Sequence, residues 1–459
     1  MPIWTKVLQQ EGNKIKGTMF TSVQLRRLIY PLIIEQVLAI TVGMVDTVMI
    51  SYAGEAAVSG VSLVDMINNL LINIFAAIAT GGAVVISQYL GSKDTNRASR
   101  AAAQLITVAV VIAIVLMLIA IAGKNAILGL LFGSVKADVM ESASTYFLIS
   151  LWSYPFLALF NACAAIFRSM GNAKISMKIS IGMNLLNVVG NAILIFGLSM
   201  GVAGDALSTF ISRLLGAIVI LALATRKENK VRVDCRKILL WENDMVRRIL
   251  HIAIPSGIEN GIFQLGRVLV VSIIAMFGTA QIAANAVANN LDSMGCIAGQ
   301  AMNLAMITVI GQCMGAGDKE QTIYYTKKLW RITYVITIIV NVIILVALPW
   351  LLKLYSLSTE SYRYAYILVM IHDGMAIFLW PTSFTMPNAL RAAGDVKFCM
   401  YVSIFSMIVF RILFSVIFGI QFGWGAVGVW IAMVLDWIFR CFLFTWRFAQ
   451  GKWLEYKVI

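Results

Sequence analysis

TRKENKVRVDCRKILLWENDMVRRILH, residues 225–251, is the longest polar interruption in a chain of 459 residues, and it falls almost at the middle. On either side lie apolar stretches long enough to cross a bilayer, which takes about 20 residues of helix. Six precede it, near residues 28–51, 58–89, 101–123, 144–167, 179–197 and 203–224. Six follow it, near 251–275, 281–313, 332–352, 364–389, 398–420 and 426–446. The segment reads as a joint, with an N-terminal lobe at 1–224, a cytoplasmic linker at 225–250 and a C-terminal lobe at 251–459. The expected fold is an all-α membrane protein of twelve transmembrane helices in two six-helix bundles.

Composition agrees with that division. Hydrophobic residues make up 60% of the chain and charged residues 13%, with a mean hydropathy of +0.86; soluble domains run at about 45–50% and about 25%. Twelve spans and their loops leave no room for a sizeable soluble domain, so function must reside among the helices. The net charge of +14 would suggest nucleic acid in a soluble protein, but here the charges lie between apolar runs, and no nucleic-acid partner is expected. If both termini are inside, most of the 36 Lys and Arg fall on the cytoplasmic side, and Lys124, Lys136, Lys353 and Arg363 fall opposite. The positive-inside rule therefore predicts a multi-pass protein of the bacterial inner membrane with both termini cytoplasmic. The N-terminal segment has no short apolar run followed by a small-residue cleavage site, so no secretory signal peptide is expected. The six cysteines lack CxxC spacing and read as buried thiols.

The halves repeat one another. An offset of 224 pairs Pro31 with Pro255, Glu35 with Glu259, Gly54 with Gly278, Gln88 with Gln312, Gly91 with Gly315 and Asp94 with Asp318. At 223 the register continues through Arg168 and Arg391, Gly171 and Gly394, and Lys174 and Lys397; it returns to 224 for Gly201 with Gly425 and Gly204 with Gly428. Six helices per repeat is an even number, so both halves enter the membrane in the same sense and are related by a pseudo-two-fold along its normal. Transporters of that plan bind substrate between repeats and rock one against the other. A channel or an enzyme has less use for it.

An unpaired charge in hydrocarbon costs about 2.5–3.5 kcal/mol on insertion scales, so charges within spans face a cavity or a partner. Asp46, in TVGMVDTVMIS of the first span, stands as the lone deep carboxylate, with Glu35 and Asp65 nearer headgroups or in the second span. The fifth span carries Asn184, Asn187 and Asn191 at spacings of three and four, which places their amides on one face. With Asp46 and Thr209 they suggest an oxygen-rich pocket for a proton or Na⁺; the bland alternative is that the amides only hold helices together. The second half carries Glu259, Arg267, Asp292, Asp373, Arg411, Asp436 and Arg440 in or near spans. Mixed signs suggest structural ion pairs, with direct ligand contact as the alternative. Arg411 occupies the repeat position of Asn187, so the halves cannot carry identical ion sites.

Other signals carry less. GWGAVG at 423–428 matches GxGxxG but sits between two spans, and its repeat mate MGVAG marks it as a turn. GxxxG at Gly257–Gly261, Gly295–Gly299 and Gly311–Gly315 reads as close helix packing. Only two histidines are present, which excludes a histidine-rich metal site. His372, beside Asp373, is expected near the outer end of the tenth span, partly hydrated. The 23 methionines and 11 tryptophans suit a polarizable cavity, though methionine is common in apolar helices and Trp at membrane interfaces.

Taken together, PLIIEQVLAITVGMVDTVMIS, GEAAVSGVSLV, ISQYLGSKD, FRSMGNAK, LNVVGNAILIFG and GVAGDALST resemble the multidrug and toxic compound extrusion (MATE) family over nearly the whole chain. The resemblance implies a V-shaped, two-lobed exporter that exchanges cytoplasmic organic compounds, often cationic and aromatic, for incoming Na⁺ or H⁺. It implies no enzyme activity, no cofactor, small-molecule and lipid partners, and a monomer. A first-span aspartate, two fifth-span Asn/Asp residues four apart and a sixth-span threonine form that family's N-lobe ion network; they fall on Asp46, Asn187, Asn191 and Thr209. Asn191 stands where some relatives have Asp, which leaves the load on Asp46, where any Na⁺ would bind. One branch carries a seventh-span glutamate one turn beyond Glu259, where this chain has Phe263; Asp373 is the only acid between His372 and Arg391. Glu259, Arg267, Asp292, Arg411 and Asp436 remain as a C-lobe polar network. A flippase for a lipid-linked or anionic amphipathic substrate shares the architecture and is the alternative reading, with Arg267 and Arg411 as its cationic groups.

Overall fold

The computed structural model describes residues 19–132, 135–238, 240–355 and 357–459. Among them, helices follow one another with short breaks. The first half contains α1 (Ser22–Ser51), α2 (Glu55–Gly91), α3 (Thr95–Ala122), α4 (Lys124–Phe132), α5 (Ala137–Trp152), α6 (Tyr154–Ser169), α7 (Ala173–Asn191) and α8 (Gly201–Ala224). After the short α9 (Cys235–Ile238) come α10 (Asn243–Ala275), α11 (Thr279–Gly315), α12 (Lys319–Lys353), α13 (Thr359–Trp380), α14 (Met386–Ala393), α15 (Val396–Ser406) and α16 (Gly425–Gln450). Among the described residues eleven helices, some continuing through a π-helical turn, are long and apolar enough to span a membrane. The count becomes twelve when α5 and α6, bent by 48° across Ser153, are taken as one span; Pro155 in the first turn of α6 suits a helix that restarts there.

The duplication is visible in how the helices begin. α2 and α11 both start after a glycine of positive φ, Gly54 at 104° and Gly278 at 94°, a conformation that a side chain would resist. α3 and α12 are capped alike: Asp94 accepts from the Arg97 N–H and Asp318 from the Gln321 N–H, each at 2.9 Å. α1 and α10 each carry an interior proline, Pro31 and Pro255. α2 and α11 are the most buried spans, whereas α3 turns Val111, Val115, Leu118 and Ile119 outward, as a lipid-facing helix must.

The chain forms two compact units, one of Ser22–Gly257 and one built on Ile258–Ile459, so the division falls inside α10. The reason lies in the polar joint, which packs on the first half. Arg100 pairs with Glu242 at 2.8 Å, Thr107 donates to the Ile238 carbonyl at 2.6 Å, and Gly81 leaves room for the α10 backbone at Ile249.

Candidate ion-coupling site

In the first half, α1, α7 and α8 bring the expected residues together. Asn191, fully buried, donates to Asp46 Oδ1 at 2.9 Å. The Asn187 amide satisfies both its ends when its nitrogen faces Asp46, at 2.8 and 3.2 Å from the two carboxylate oxygens, and its oxygen accepts from Thr209 Oγ1 at 3.1 Å. Four residues between the asparagines is one helical turn, so both amides reach one carboxylate. Ser208 donates to the Asn187 carbonyl at 2.8 Å, and its hydroxyl lies where a Cβ on Gly190 would stand; the glycine lets α7 and α8 approach closely. Asn184, expected on the same face, stays outside the network, and its buried Nδ2 has no hydrogen-bond partner.

Asp46 is not a lone deep carboxylate. Asp205, at the start of α8, is 3% exposed, its Oδ1 lacks a hydrogen-bond partner, and it interacts electrostatically with Asp46, Asp65 and Arg213. Asp65 on α2 accepts from Asn68 at 3.2 Å and from Tyr146 at 3.5 Å, and Tyr154 donates to Asn68 Oδ1 at 2.6 Å. Arg213, anchored on Ser153 Oγ at 2.7 Å, is the cation among these three acids. Sequence reading missed Asp205 because it lies four residues from the start of a helix, where an acid reads as interfacial. Its signal was its place within GVAGDALST, one turn before Thr209.

The second half is wired differently. Glu259 meets Arg391 at 2.6 Å and Arg440 at 4.0 Å, and accepts from Ser403 at 2.6 Å. Arg411 faces Asp436 at 3.8 Å. Arg267 makes no ion pair within 4 Å among the described residues but lies in the field of Asp292 and Arg411. Phe263 packs edge-on against Phe384, which also stacks on Trp380 and carries the Arg440 guanidinium 4.6 Å above its ring. His372 departs from the expectation of a partly hydrated residue. It is 1% exposed, with Nε2 on Asp292 and Nδ1 2.7 Å from Asp373 Oδ1. The reason is length: α13 begins at Thr359 and continues through a π-helical turn and α14 to Ala393, which draws His372 away from the end.

These two interiors sit in a duplicated frame, and the duplication is what the comparison of families detects. The sequence model of the MatE family matches residues 31–193 and again 255–417. The chain belongs to the MatE family. This family of multidrug efflux transporters includes, among the similar proteins, the uncharacterized transporter YisQ of Bacillus subtilis, 30% identical over 93% of this chain and 94% of that one. A probable multidrug resistance protein NorM of Thermotoga maritima is 25% identical over 95% and 94%. The fold is shared with an outward-facing multidrug resistance MATE family transporter, at a TM-score of 0.87 and 19% identity over 95% of this chain and 96% of that one. A MATE crystal structure in the bent conformation superposes at 0.86, with 19% identity over 94% and 96%. The MatE chain described here is accordingly a multi-pass membrane protein of two lobes, and the two matched stretches coincide with the two halves of the repeat.

Proposed function

We propose that this MatE protein is a secondary active exporter that exchanges cytoplasmic organic compounds, often cationic, for incoming Na⁺ or H⁺. It acts as a monomer in a bacterial plasma membrane with both termini cytoplasmic. Its functional lobes are 1–224 and 251–459, joined by the linker at 225–250. The observation that carries the reading is the Asp46 carboxylate held by Asn187 and Asn191, with Thr209 behind and Asp65 and Asp205 in its field. Three acids share one arginine inside a membrane, where each unpaired ion costs about 2.5–3.5 kcal/mol or more, so ionising all three requires a further positive charge. A proton or Na⁺ supplies the missing positive charge, and a cationic substrate competes for it. Coupling follows if the cation-bound and substrate-bound states differ in conformation, because a ligand shifts an equilibrium only by its differential affinity. A flippase for lipid phosphates would need both its arginines available for an anion, and Arg411 is already matched by Asp436, which leaves Arg267 alone for that role.

The test is ethidium movement in proteoliposomes of the purified protein under an imposed Na⁺ gradient, an imposed proton gradient, or neither. Export under one gradient, lost in Asp46→Asn, is the expected result and names the ion. Wild-type rates in Asp46→Asn contradict the role of Asp46, and no driven movement of ethidium or of a second cationic dye contradicts the antiporter.

A further inference from the structure

The second half contains a cluster to which the proposed export mechanism assigns no part. Asp292 and Cys296 lie one turn apart on α11, and Cys296 Sγ is 3.3 Å from Asp292 Oδ1. His372 of α13 presents Nε2 to that same oxygen, and one ligand atom from each of the three lies within 4.8 Å of the others. The far nitrogen is fixed: Nδ1 is 2.7 Å from Oδ1 of Asp373, a carboxylate with no exposed surface whose Oδ2 has no hydrogen-bond partner.

We propose that Asp292, Cys296 and His372 form a binding site for a borderline-soft divalent transition metal of the Zn²⁺ class, with Asp373 as the residue that positions the histidine. The donor set argues for such an ion. A thiolate with an imidazole disfavours Na⁺, Mg²⁺ and Ca²⁺, which take oxygen ligands, and suits Zn²⁺ or Co²⁺. Two anionic ligands cancel the charge of a divalent ion, so the metal with its three ligands is neutral in a low-dielectric interior. Bonds of about 2.0–2.3 Å in a tetrahedral shell set ligand atoms roughly 3.4–3.7 Å apart. The Cys296–Asp292 separation is already close to that spacing; the His372–Asp292 contact is tighter and widens to admit the ion. On binding, Cys296 loses its thiol proton to solvent and the proton shared by His372 and Asp292 leaves, so that sulfur, imidazole nitrogen and carboxylate oxygen each donate a lone pair. The carboxylate–histidine–metal arrangement, in which the second ring nitrogen donates to an acid, is how metal-binding histidines are generally oriented. Asp292 keeps 22% of its side chain exposed, so this ligand is not sealed in the interior. Cysteine spacing alone conceals the site, because its ligands come from two helices.

The experiment is a titration of the reduced, metal-free, full-length protein in detergent with Co²⁺. Thiolate-to-cobalt charge-transfer absorption should appear in the near ultraviolet, saturate at a single equivalent and disappear on adding Zn²⁺. Cys296→Ser should abolish the band, whereas Cys235→Ser, which changes the exposed thiol, should keep it. Asp373→Asn should weaken Co²⁺ binding about 10–100-fold with the band shape unchanged, the effect expected of a positioning residue. Should Cys296→Ser fail to fold, X-ray absorption of Co²⁺-loaded Cys235→Ser protein decides: a sulfur in the first shell supports the site, and a shell of nitrogen and oxygen alone overturns it. Absence of the band in the wild type, or its persistence in Cys296→Ser, also overturns it.

Discussion

In the first half Glu35 and Arg168 stand 3.5 Å apart, and Ser176 donates to the same carboxylate at 3.1 Å. In the second half their repeat mates Glu259 and Arg391 stand 2.6 Å apart, with Ser403 at 2.6 Å. Deeper in, the resemblance ends. Adding 224 to Asp46, Asp205 and Thr209 gives Val270, Val429 and Met433, while the same step from Asn187 and Ser212 gives Arg411 and Asp436. Duplication has kept the helix starts, the caps and one pair of opposite charges. It has left three acids around one arginine in the first interior, and in the second it has set Glu259 and Asp436 against arginines. A carboxylate already paired with arginine has little to offer a mobile cation, whereas one held only by amides still lacks a positive partner. The proposed ion-coupling role is therefore assigned to the first half.

The sharpest way to break the comparison is to neutralise one acid in each interior. Asp46→Asn should reduce gradient-driven dye export to the leak rate of empty liposomes, whereas Asp436→Asn should keep the same ion dependence per folded molecule. Asp205→Asn should fall between them, slowing export several-fold and changing its dependence on the driving ion without abolishing it, as read from initial rates.

The shared ion pair sharpens the comparison in stability. Removing one partner of a buried pair costs about 3–5 kcal/mol, mostly through the charge left behind. Arg391→Met should therefore lower the melting temperature in detergent clearly, and Arg168→Met less, because its pair is longer. The double variant Glu259→Leu with Arg391→Met should recover only part of the loss, because it leaves Arg440 without its acid. The smallest effects come from glycines of α7. Gly190→Ala, against Ser208, should cost about 1–3 kcal/mol by overpacking. Gly182→Ala, with nothing within 4 Å, should gain about 0.5–1 kcal/mol in helix propensity, measured by the same thermal unfolding.

Much of this was legible in the residues because it depends on local periodicity. Apolar run length located the spans, a constant offset exposed the repeat, and a spacing of four placed Asn187 and Asn191 on one face toward Asp46. That the mixed charges of the second half form ion pairs follows from the cost of leaving one alone, but which arginine meets which acid does not. What was not legible depends on packing between helices. Asp205 looks interfacial until α8 is set against α1, and His372 looks half-hydrated until α13 is seen to continue through Pro381–Thr385 to α14. Asn184 shares the helical spacing of its neighbours, yet the geometry leaves it outside the network.

The central claim is that Asp46 holds the coupling cation and gives it up when substrate binds. It is tested most directly by adding ethidium to the purified protein in weakly buffered detergent solution and measuring released protons with a pH dye, or displaced ²²Na⁺ by filtration. Cation release on ethidium binding is expected in the wild type and none in Asp46→Asn. Equal release from both proteins would contradict it.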